Sequence, residues 1–197
     1  QAVAADINEM GLAGSAEGFG GNIATQDGIS DLITALKLRT DKLHILMNNA
    51  GRTWGAPLGV FPYDAWDRVM ALNVTGMFHL TQGLIEFLAA STDANDPARV
   101  VNVGSVMGEI PMGDDAYSYA VSKSAVHHMT RILAKELLER NITVNALAPG
   151  PFQSGMTKFA IGDDDSSDRV GLRVPARRVG RSEDIAACMQ FLCGYGG

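Results

Sequence analysis

Two residues spaced four apart, Tyr119 and Lys123, have side chains that could exchange a proton with a substrate. In a helix, residues at i and i+4 lie on the same face, about one turn apart. A neighbouring ammonium favours phenolate over phenol, so we expect Lys123 to lower the pKa of Tyr119 from about 10 towards neutrality. A tyrosine with such a pKa gives or takes a proton at working pH. Taken alone, the pair would also fit an ordinary surface contact.

A hydroxyl and an amide elsewhere in the chain could complete such a site. Ser105 follows the apolar run Val100–Gly104, and open α/β sheets bind ligands beyond the carboxyl ends of their strands. Its hydroxyl could donate to a carbonyl oxygen, where negative charge grows during hydride attack. Asn73 lies in an apolar helical pattern, where an amide is costly unless it is hydrogen-bonded. A satisfied core amide is the alternative interpretation of Asn73.

Two other strand ends carry small residues. The sequence Asn48-Asn49-Ala50-Gly51 closes one apolar run, and residues this small let a flat ring or a ribose approach the backbone. Pro149-Gly150 closes another run and opens the long polar segment 150–173. A long irregular segment inside a domain is often a lid or binding loop, so we interpret 150–173 as a substrate-binding loop. A plain solvated connection is the alternative.

Short apolar runs alternate with longer helical patterns along the chain. The predicted strands are Leu43–Met47, Val100–Gly104 and Ile142–Leu147. The predicted helices are Gly28–Leu38, Tyr63–Ala90, Tyr117–Arg140 and Ser182–Leu192. Such alternation indicates βαβ units with right-handed crossovers. We therefore predict an α/β fold, a Rossmann-like doubly wound parallel sheet flanked by helices.

Length and composition are those of one globular domain. The chain has 197 residues, 46% hydrophobic and 19% charged. A net charge of −6 argues against nucleic acid as a partner. No apolar run reaches the roughly 18 residues needed to span a bilayer, and no signal-peptide pattern is visible. We expect a soluble protein with no membrane partner.

The cysteines and the paired histidines do not indicate a metal site. Cys188 and Cys193 lie in one predicted helix without a second pair, so packing in a reducing cytoplasm is the expected role. His127 and His128 share the Tyr119 helix without a third ligand. We interpret them as helix or interface residues.

Taken together, these motifs resemble those of the short-chain dehydrogenase/reductase family. The matching pieces stand in the family's order, namely Asn48-Asn49-Ala50-Gly51, Asn73, Ser105, Tyr119 with Lys123, and Pro149-Gly150. The resemblance runs from Asn22 to the C-terminus. Three further stretches, Trp54–Leu58, Asn95–Ser105 and Ala148–Thr157, resemble the subgroup of 3-oxoacyl-carrier-protein reductases that includes the β-ketoacyl reductase linked to rhamnolipid synthesis.

The resemblance implies a role for each catalytic candidate. Tyr119 would protonate the carbonyl oxygen as a nicotinamide hydride reaches the carbon. Lys123 would lower the pKa of Tyr119 and hold the nicotinamide ribose. Ser105 would orient and polarise the carbonyl, and Asn73 would anchor a water that relays protons to Lys123.

The resemblance also implies the cofactor contacts. The adenosine-ribose side would be lined by Asn48, Ala50 and Gly51, and the nicotinamide would be flanked by Pro149, Gly150 and Phe152. The segment Gln153–Phe159 would begin the substrate loop. The implied cofactor is NADP or NAD, with NADPH favoured by the subgroup.

The N-terminal part departs from the family pattern. Gly14–Gly20 matches the letters of the family's glycine-rich turn, but no convincing strand precedes it. We expect instead that the opening strand and its glycine turn are missing, and that Gln1–Asp6 is the tail of the second strand. Asp6 would then face the adenosine ribose, which favours NAD. An ordinary loop acid is the alternative interpretation of Asp6. Asn22 stands where the family has an adenine-contacting aspartate.

The C-terminal end also stops before the family's last sheet-edge strand, which commonly helps to assemble the tetramer. We therefore expect a single partial dinucleotide-binding domain over residues 1–197 and a homodimer or homotetramer. The first functional hypothesis is the reduction of a 3-oxoacyl thioester or similar ketone. The alternatives are an alcohol, sugar or steroid dehydrogenase with the same site, and a non-catalytic binding protein with the same fold.

Overall fold

A three-stranded parallel sheet forms the centre of the molecule. The computed structural model describes residues 2–112, 115–153 and 164–194. Its strands are β1 (Ile45–Asn48), β2 (Ala98–Val103) and β3 (Ile142–Leu147), in the order β1-β2-β3. Ile45 is opposite Arg99, and Ala98 is opposite Ile142. The predicted strands and their parallel pairing are confirmed, with shifts of about two residues at the starts of β1 and β2.

The described part of the chain has seven α-helices. They are α1 (Ala2–Glu9), α2 (Gln26–Lys37), α3 (Tyr63–Met70), α4 (Met77–Ala89), α5 (Tyr117–Glu136), α6 (Asp164–Gly171) and α7 (Ser182–Cys193). All four predicted helices are present. The helix predicted over Tyr63–Ala90 consists of α3 and α4 joined by a π-helical segment, Ala71–Gly76. A short 3₁₀ turn, Leu138–Arg140, follows α5.

The helices cover both faces of the sheet, as expected for a Rossmann-like fold. On one face, α4 and α5 bury Leu88 and Leu133 against Val100 and Val144. Successive side chains of a strand point to opposite faces, so Arg99 points to the other face. Its guanidinium Nη2 donates to the carbonyl oxygen of Gly194, at the end of α7, over 3.1 Å. Helix α7 therefore lies on the face opposite to α4 and α5.

The N-terminal segment corrects two expectations. The predicted strand tail Gln1–Asp6 is helical over its described residues, because residues 2–9 form helix α1, as the alanine-rich start favours. Asp6 lies exposed on that helix and not at a strand end. No strand leads into Gly14–Gly20, and an added Cβ at Gly14 or Gly20 would meet nothing within 4 Å. This segment is an open loop and does not have the packing of a phosphate-binding turn.

The predicted substrate loop over residues 150–173 is partly helical. Its residues 154–163 lie outside the described part of the chain, while Asp164–Gly171 form α6. None of the described helices is long and apolar enough to cross a membrane.

Candidate active site

The carboxyl end of β2 and the first turns of α5 bring three of the predicted catalytic residues together. Ser105 is buried just beyond β2, and its hydroxyl interacts with the phenol of Tyr119. Lys123, one turn further along α5, is 5% exposed. Its ammonium Nζ donates to the carbonyl oxygen of Val103 over 2.6 Å and lies 5.5 Å from the centroid of the Tyr119 ring. A phenol, a hydroxyl and an ammonium therefore meet at one strand end.

Burial perturbs both titratable groups of this site. It raises the pKa of the Tyr119 phenol above its ordinary value of 10, and the Ser105 hydroxyl partly offsets that rise. The expected net shift of the Tyr119 pKa towards neutrality is wrong, because burial outweighs the groups that lower this pKa. Burial also lowers the pKa of Lys123 from 10.5 to about 8.

Asn73 lies in the π-helical segment and is 2% exposed. Its Oδ1 accepts from the backbone N–H of Arg52 over 2.9 Å, and its Nδ2 donates to the Arg52 carbonyl oxygen, also over 2.9 Å. The same Nδ2 donates to the hydroxyl of Ser122 over 2.9 Å, and that hydroxyl donates to the Tyr119 carbonyl oxygen over 2.7 Å. The side chain of Asn73 is a satisfied core amide that connects the segment after β1 to α5. Its implied role as a water anchor stays a prediction.

Asn48 ends β1, but its side chain points into the protein interior. Its Nδ2 donates to the hydroxyl of Thr81 over 2.9 Å and to Oδ1 of Asn102 over 2.8 Å. Asn102 in turn donates to the hydroxyl of Thr130 over 2.9 Å. This chain of buried polar groups joins α4, β1, β2 and α5. Oδ1 of Asn48 is buried and accepts no hydrogen bond from the described residues.

Gly51 and Pro149 lie next to the site, and Phe152 packs against Gly180. A Cβ at Gly51 would be 3.4 Å from Oδ1 of Asn73 and 3.7 Å from Nζ of Lys123. The carbonyl oxygen of Pro149 accepts from the backbone N–H of Val106 over 3.0 Å, which connects the end of β3 to the Ser105 turn. Phe152 forms an isolated bridge to Gly180, and its ring occupies the space that a side chain there would need. Ala50 and Gly150 are exposed.

Of the other residues predicted to contact cofactor or substrate, Asn22 is described by the structure and most of the substrate-loop start is not. Asn22 is exposed, and its Oδ1 accepts from the backbone N–H of Ala24 in the turn before α2. Ser154–Phe159, the main part of the proposed start of the substrate loop, lies outside the described residues. No group of three metal-ligating side chains occurs among the residues that the structure describes.

Two polar residues near the site were not assigned a catalytic role by the sequence reasoning. Ser122 bridges Asn73 and Tyr119, and the imidazole of His127 accepts from the Ser105 backbone N–H over 3.3 Å. The spacing indicates only that His127 shares a helical face with Lys123, which it follows by four residues. Nothing in the sequence showed that its partner is the backbone of Ser105.

The site fits the nicotinamide end of a dinucleotide. An ammonium has three protons to donate, and Val103 takes only one of those of Lys123. The adjoining residues Asn49 and Ala50 are exposed, and Gly51 leaves the approach to the ammonium open. Ribose hydroxyls are suitable acceptors there. No phosphate-binding glycine turn occurs among the described residues, so the pyrophosphate end has no comparable site.

A parallel sheet with tyrosine, lysine and serine at one strand end defines a class of nicotinamide-dependent oxidoreductases. The sequence profile of a family described as enoyl-(acyl carrier protein) reductase matches residues 1–195. The chain belongs to the short-chain dehydrogenase/reductase family.

Similar proteins include carrier-protein reductases. The chain is 39% identical, over its whole length and 77% of the relative, to the rhamnolipids biosynthesis 3-oxoacyl-[acyl-carrier-protein] reductase of Pseudomonas aeruginosa. It is 32% identical to the 3-oxoacyl-[acyl-carrier-protein] reductase FabG of Thermotoga maritima, over 92% of this chain and 71% of the relative.

Two solved structures share the fold closely and were determined with a dinucleotide. The Pseudomonas aeruginosa RhlG/NADP active-site complex superposes with a TM-score of 0.91 at 39% identity, over 98% of this chain and 75% of that chain. A gluconate 5-dehydrogenase from Burkholderia cenocepacia, in complex with NADP and tartrate, has a TM-score of 0.85 at 27% identity, over 98% and 73%.

Proposed function

We propose that this chain is an NADP-dependent reductase that converts the ketone of a 3-oxoacyl thioester, or of a similar substrate, into a secondary alcohol. The observation that carries the proposal is the meeting of the Ser105 hydroxyl and the Tyr119 phenol beside the buried ammonium of Lys123. A ketone oxygen between these two hydroxyl groups would receive two hydrogen bonds where negative charge develops.

The raised pKa of Tyr119 suits reduction. At neutral pH the phenol keeps its proton, so it can act as the general acid that completes the alcohol. The cofactor supplies the hydride when it is bound. Ser105 holds the carbonyl oxygen, Tyr119 transfers its proton to that oxygen, and the ammonium of Lys123 stabilises the negative charge left on the phenol.

Lys123 and the residues at the ends of β1 and β3 would bind different parts of the cofactor. The free protons of Lys123 would bind the nicotinamide ribose, while Asn48, Ala50 and Gly51 would line the adenosine-ribose side. The nicotinamide ring would lie near Pro149, Gly150 and Phe152, and Asn22 would approach the adenine. NADP is favoured because two similar structures were solved with it, and because Asp6 lies on a helix and not at a strand end.

The substrate class rests on the relatives. The 39% and 32% identical relatives are both named as 3-oxoacyl-carrier-protein reductases, which supports an acyl thioester. The second candidate is a sugar-acid dehydrogenase, supported by 30% identity to the gluconate 5-dehydrogenase of Gluconobacter oxydans.

The enzyme is also proposed to act in the cytoplasm as a homodimer or homotetramer. Two free cysteines, Cys188 and Cys193, fit a reducing compartment. An apolar surface cleft of about 400 Å³ beside Phe61, Trp66 and Tyr117 supports association between copies. A monomeric mass in sedimentation equilibrium at micromolar concentration would contradict the oligomer.

The test of function begins with binding and then measures turnover. Fluorescence titrations with NADPH and NADH establish whether the chain binds either cofactor. Binding is expected for an enzyme, whereas a non-catalytic protein would not require it. Acetoacetyl-CoA with NADPH is then compared with gluconate and NADP. Tyr119→Phe should lower turnover about a hundredfold or more, because the general acid is lost. Tyr63→Phe, at an exposed tyrosine on α3, is the matched control and should be unchanged. Turnover of the Tyr119 variant close to that of the wild type would rule out the proposed role.

A further inference from the structure

Helix α5 places a third side chain in line with Tyr119 and Lys123. His127 follows Lys123 by four residues, so the three side chains lie on one helical face, one turn apart. Each of them contacts the end of β2 or the turn that follows it. Tyr119 meets the Ser105 hydroxyl, Lys123 donates to the Val103 carbonyl oxygen, and His127 Nε2 accepts from the Ser105 backbone N–H over 3.3 Å.

The His127 ring fits against the backbone on both sides of Ser105. A Cβ on Gly104 would overlap Nε2 and Cδ2 of the ring, and a Cβ on Gly108 would lie 2.9 Å from its Cε1. Glycine at both positions therefore lets the ring reach the Ser105 amide. The imidazole itself is 6% exposed, so a histidine is buried there with a defined set of polar partners.

Glu109 determines which ring nitrogen carries the proton. Because Nε2 accepts from the Ser105 N–H, it must be unprotonated, and the proton of the neutral ring lies on Nδ1. Nδ1 is 2.6 Å from Oε1 of Glu109, which accepts that proton's hydrogen bond. The second hydrogen bond of a histidine commonly selects its tautomer in this way. Glu109 thus keeps His127 in the form that can bind Ser105.

We propose that His127, with its tautomer set by Glu109, is a positioning residue for Ser105. Ser105 is extended, with φ −170° and ψ 152°, and it caps the 3₁₀ turn Val106–Gly108 through its own hydroxyl, which accepts from the Met107 N–H over 3.2 Å. With the amide held by His127 and one side of the hydroxyl held by Met107, the hydroxyl proton is directed to the Tyr119 side. This inference rests on the proposed function, because Ser105 matters only if a carbonyl oxygen binds there.

The kinetic test uses variants that separate the acceptor from the ring. His127→Leu removes the acceptor, and kcat should fall about tenfold to a hundredfold, as expected when a catalytic group is displaced. The KM for NADPH should stay within about twofold, because Lys123 is untouched. His127→Gln offers an oxygen near the position of Nε2 and should recover most of the loss. His128→Leu, at the exposed neighbouring histidine, is the matched control and should behave as the wild type.

A double-variant comparison tells positioning from a general effect on the fold. If His127 acts through Ser105, His127→Leu should lower kcat little further in a Ser105→Ala background. The same fold-loss in both backgrounds would overturn the proposal, as would full activity of His127→Leu in the wild-type background. Glu109→Leu should lower kcat, and Glu109→Gln should retain it, because the amide oxygen still accepts from Nδ1.

A readout independent of turnover tests the contact itself. In ¹H–¹⁵N spectra of the uniformly ¹⁵N-labelled full chain, the neutral ring of His127 should carry its proton on Nδ1. The Ser105 amide should exchange slowly with solvent, and faster in His127→Leu. An Nε2–H tautomer, or unchanged exchange, would refute the inference. Wild-type protein that reduces no ketone would refute the proposed function instead, and the spectra would still decide whether His127 binds the Ser105 amide.

Discussion

The buried ammonium of Lys123 leads to a prediction about stability as a function of pH. In the folded protein the pKa of Lys123 is about 8, against 10.5 for an ordinary lysine. Between these values the unfolded chain binds a proton that the folded chain does not, so stability rises with pH in that window. Below about pH 8 both states carry the charge, and the folded state bears the cost of burying it.

The size of this effect follows from the two pKa values. One pKa unit corresponds to about 1.4 kcal/mol, so the full window is worth about 3 kcal/mol. Between pH 7 and pH 9.5, before ordinary lysines lose their proton, the free energy of unfolding should increase by about 2 kcal/mol. The variant Lys123→Met has no charge to bury and cannot show this gain.

Urea unfolding at both pH values measures the gain. The stability of the wild type relative to Lys123→Met should increase by about 2 kcal/mol from pH 7 to pH 9.5, since other titrating groups are common to both proteins. Lys135→Met, at an exposed lysine on the same helix, should show no such change. An equal difference between the wild type and Lys123→Met at both pH values would show that the pKa of Lys123 is not lowered.

Two further predictions concern packing around the site, both measured by urea unfolding. A Cβ on Gly76 would overlap the Ile23 carbonyl oxygen, so Gly76→Ala should destabilise the fold by about 1–3 kcal/mol, although alanine favours helices. Gly14→Ala, where the added Cβ meets nothing, should change the free energy of unfolding by less than about 0.5 kcal/mol. Equal destabilisation by the two alanine variants would contradict the packing argument. Asn102→Ala should cost about 1–3 kcal/mol by leaving polar partners of the buried amide chain unpaired, whereas Asn95→Ala at an exposed asparagine should cost little. A neutral Asn102→Ala would mean that those partners find other hydrogen bonds.

Local pattern explains how much of the fold was predictable. The three strands are short apolar runs, and two of them are rich in β-branched residues. In α5 the apolar residues recur every three or four positions, which is the period of a helix and not of a strand. The π-helical segment between α3 and α4 was not predicted, because its apolar residues continue the period of an α-helix. Helix α1 was not predicted, because the family resemblance places the end of a strand at Gln1–Asp6. The alanine-rich composition of residues 2–5 favours a helix instead.

The sequence by itself determined which catalytic groups share a helical face, and it placed Ser105 at a strand end, because both relations depend on spacing along the chain. Only the tertiary structure decided the charge balance of the site. Burial, which raises the pKa of Tyr119 and lowers that of Lys123, depends on everything packed around them. The contact between His127 and the Ser105 amide likewise joins residues from separate elements, and hydrogen-bond partners of that kind follow from packing and not from local spacing.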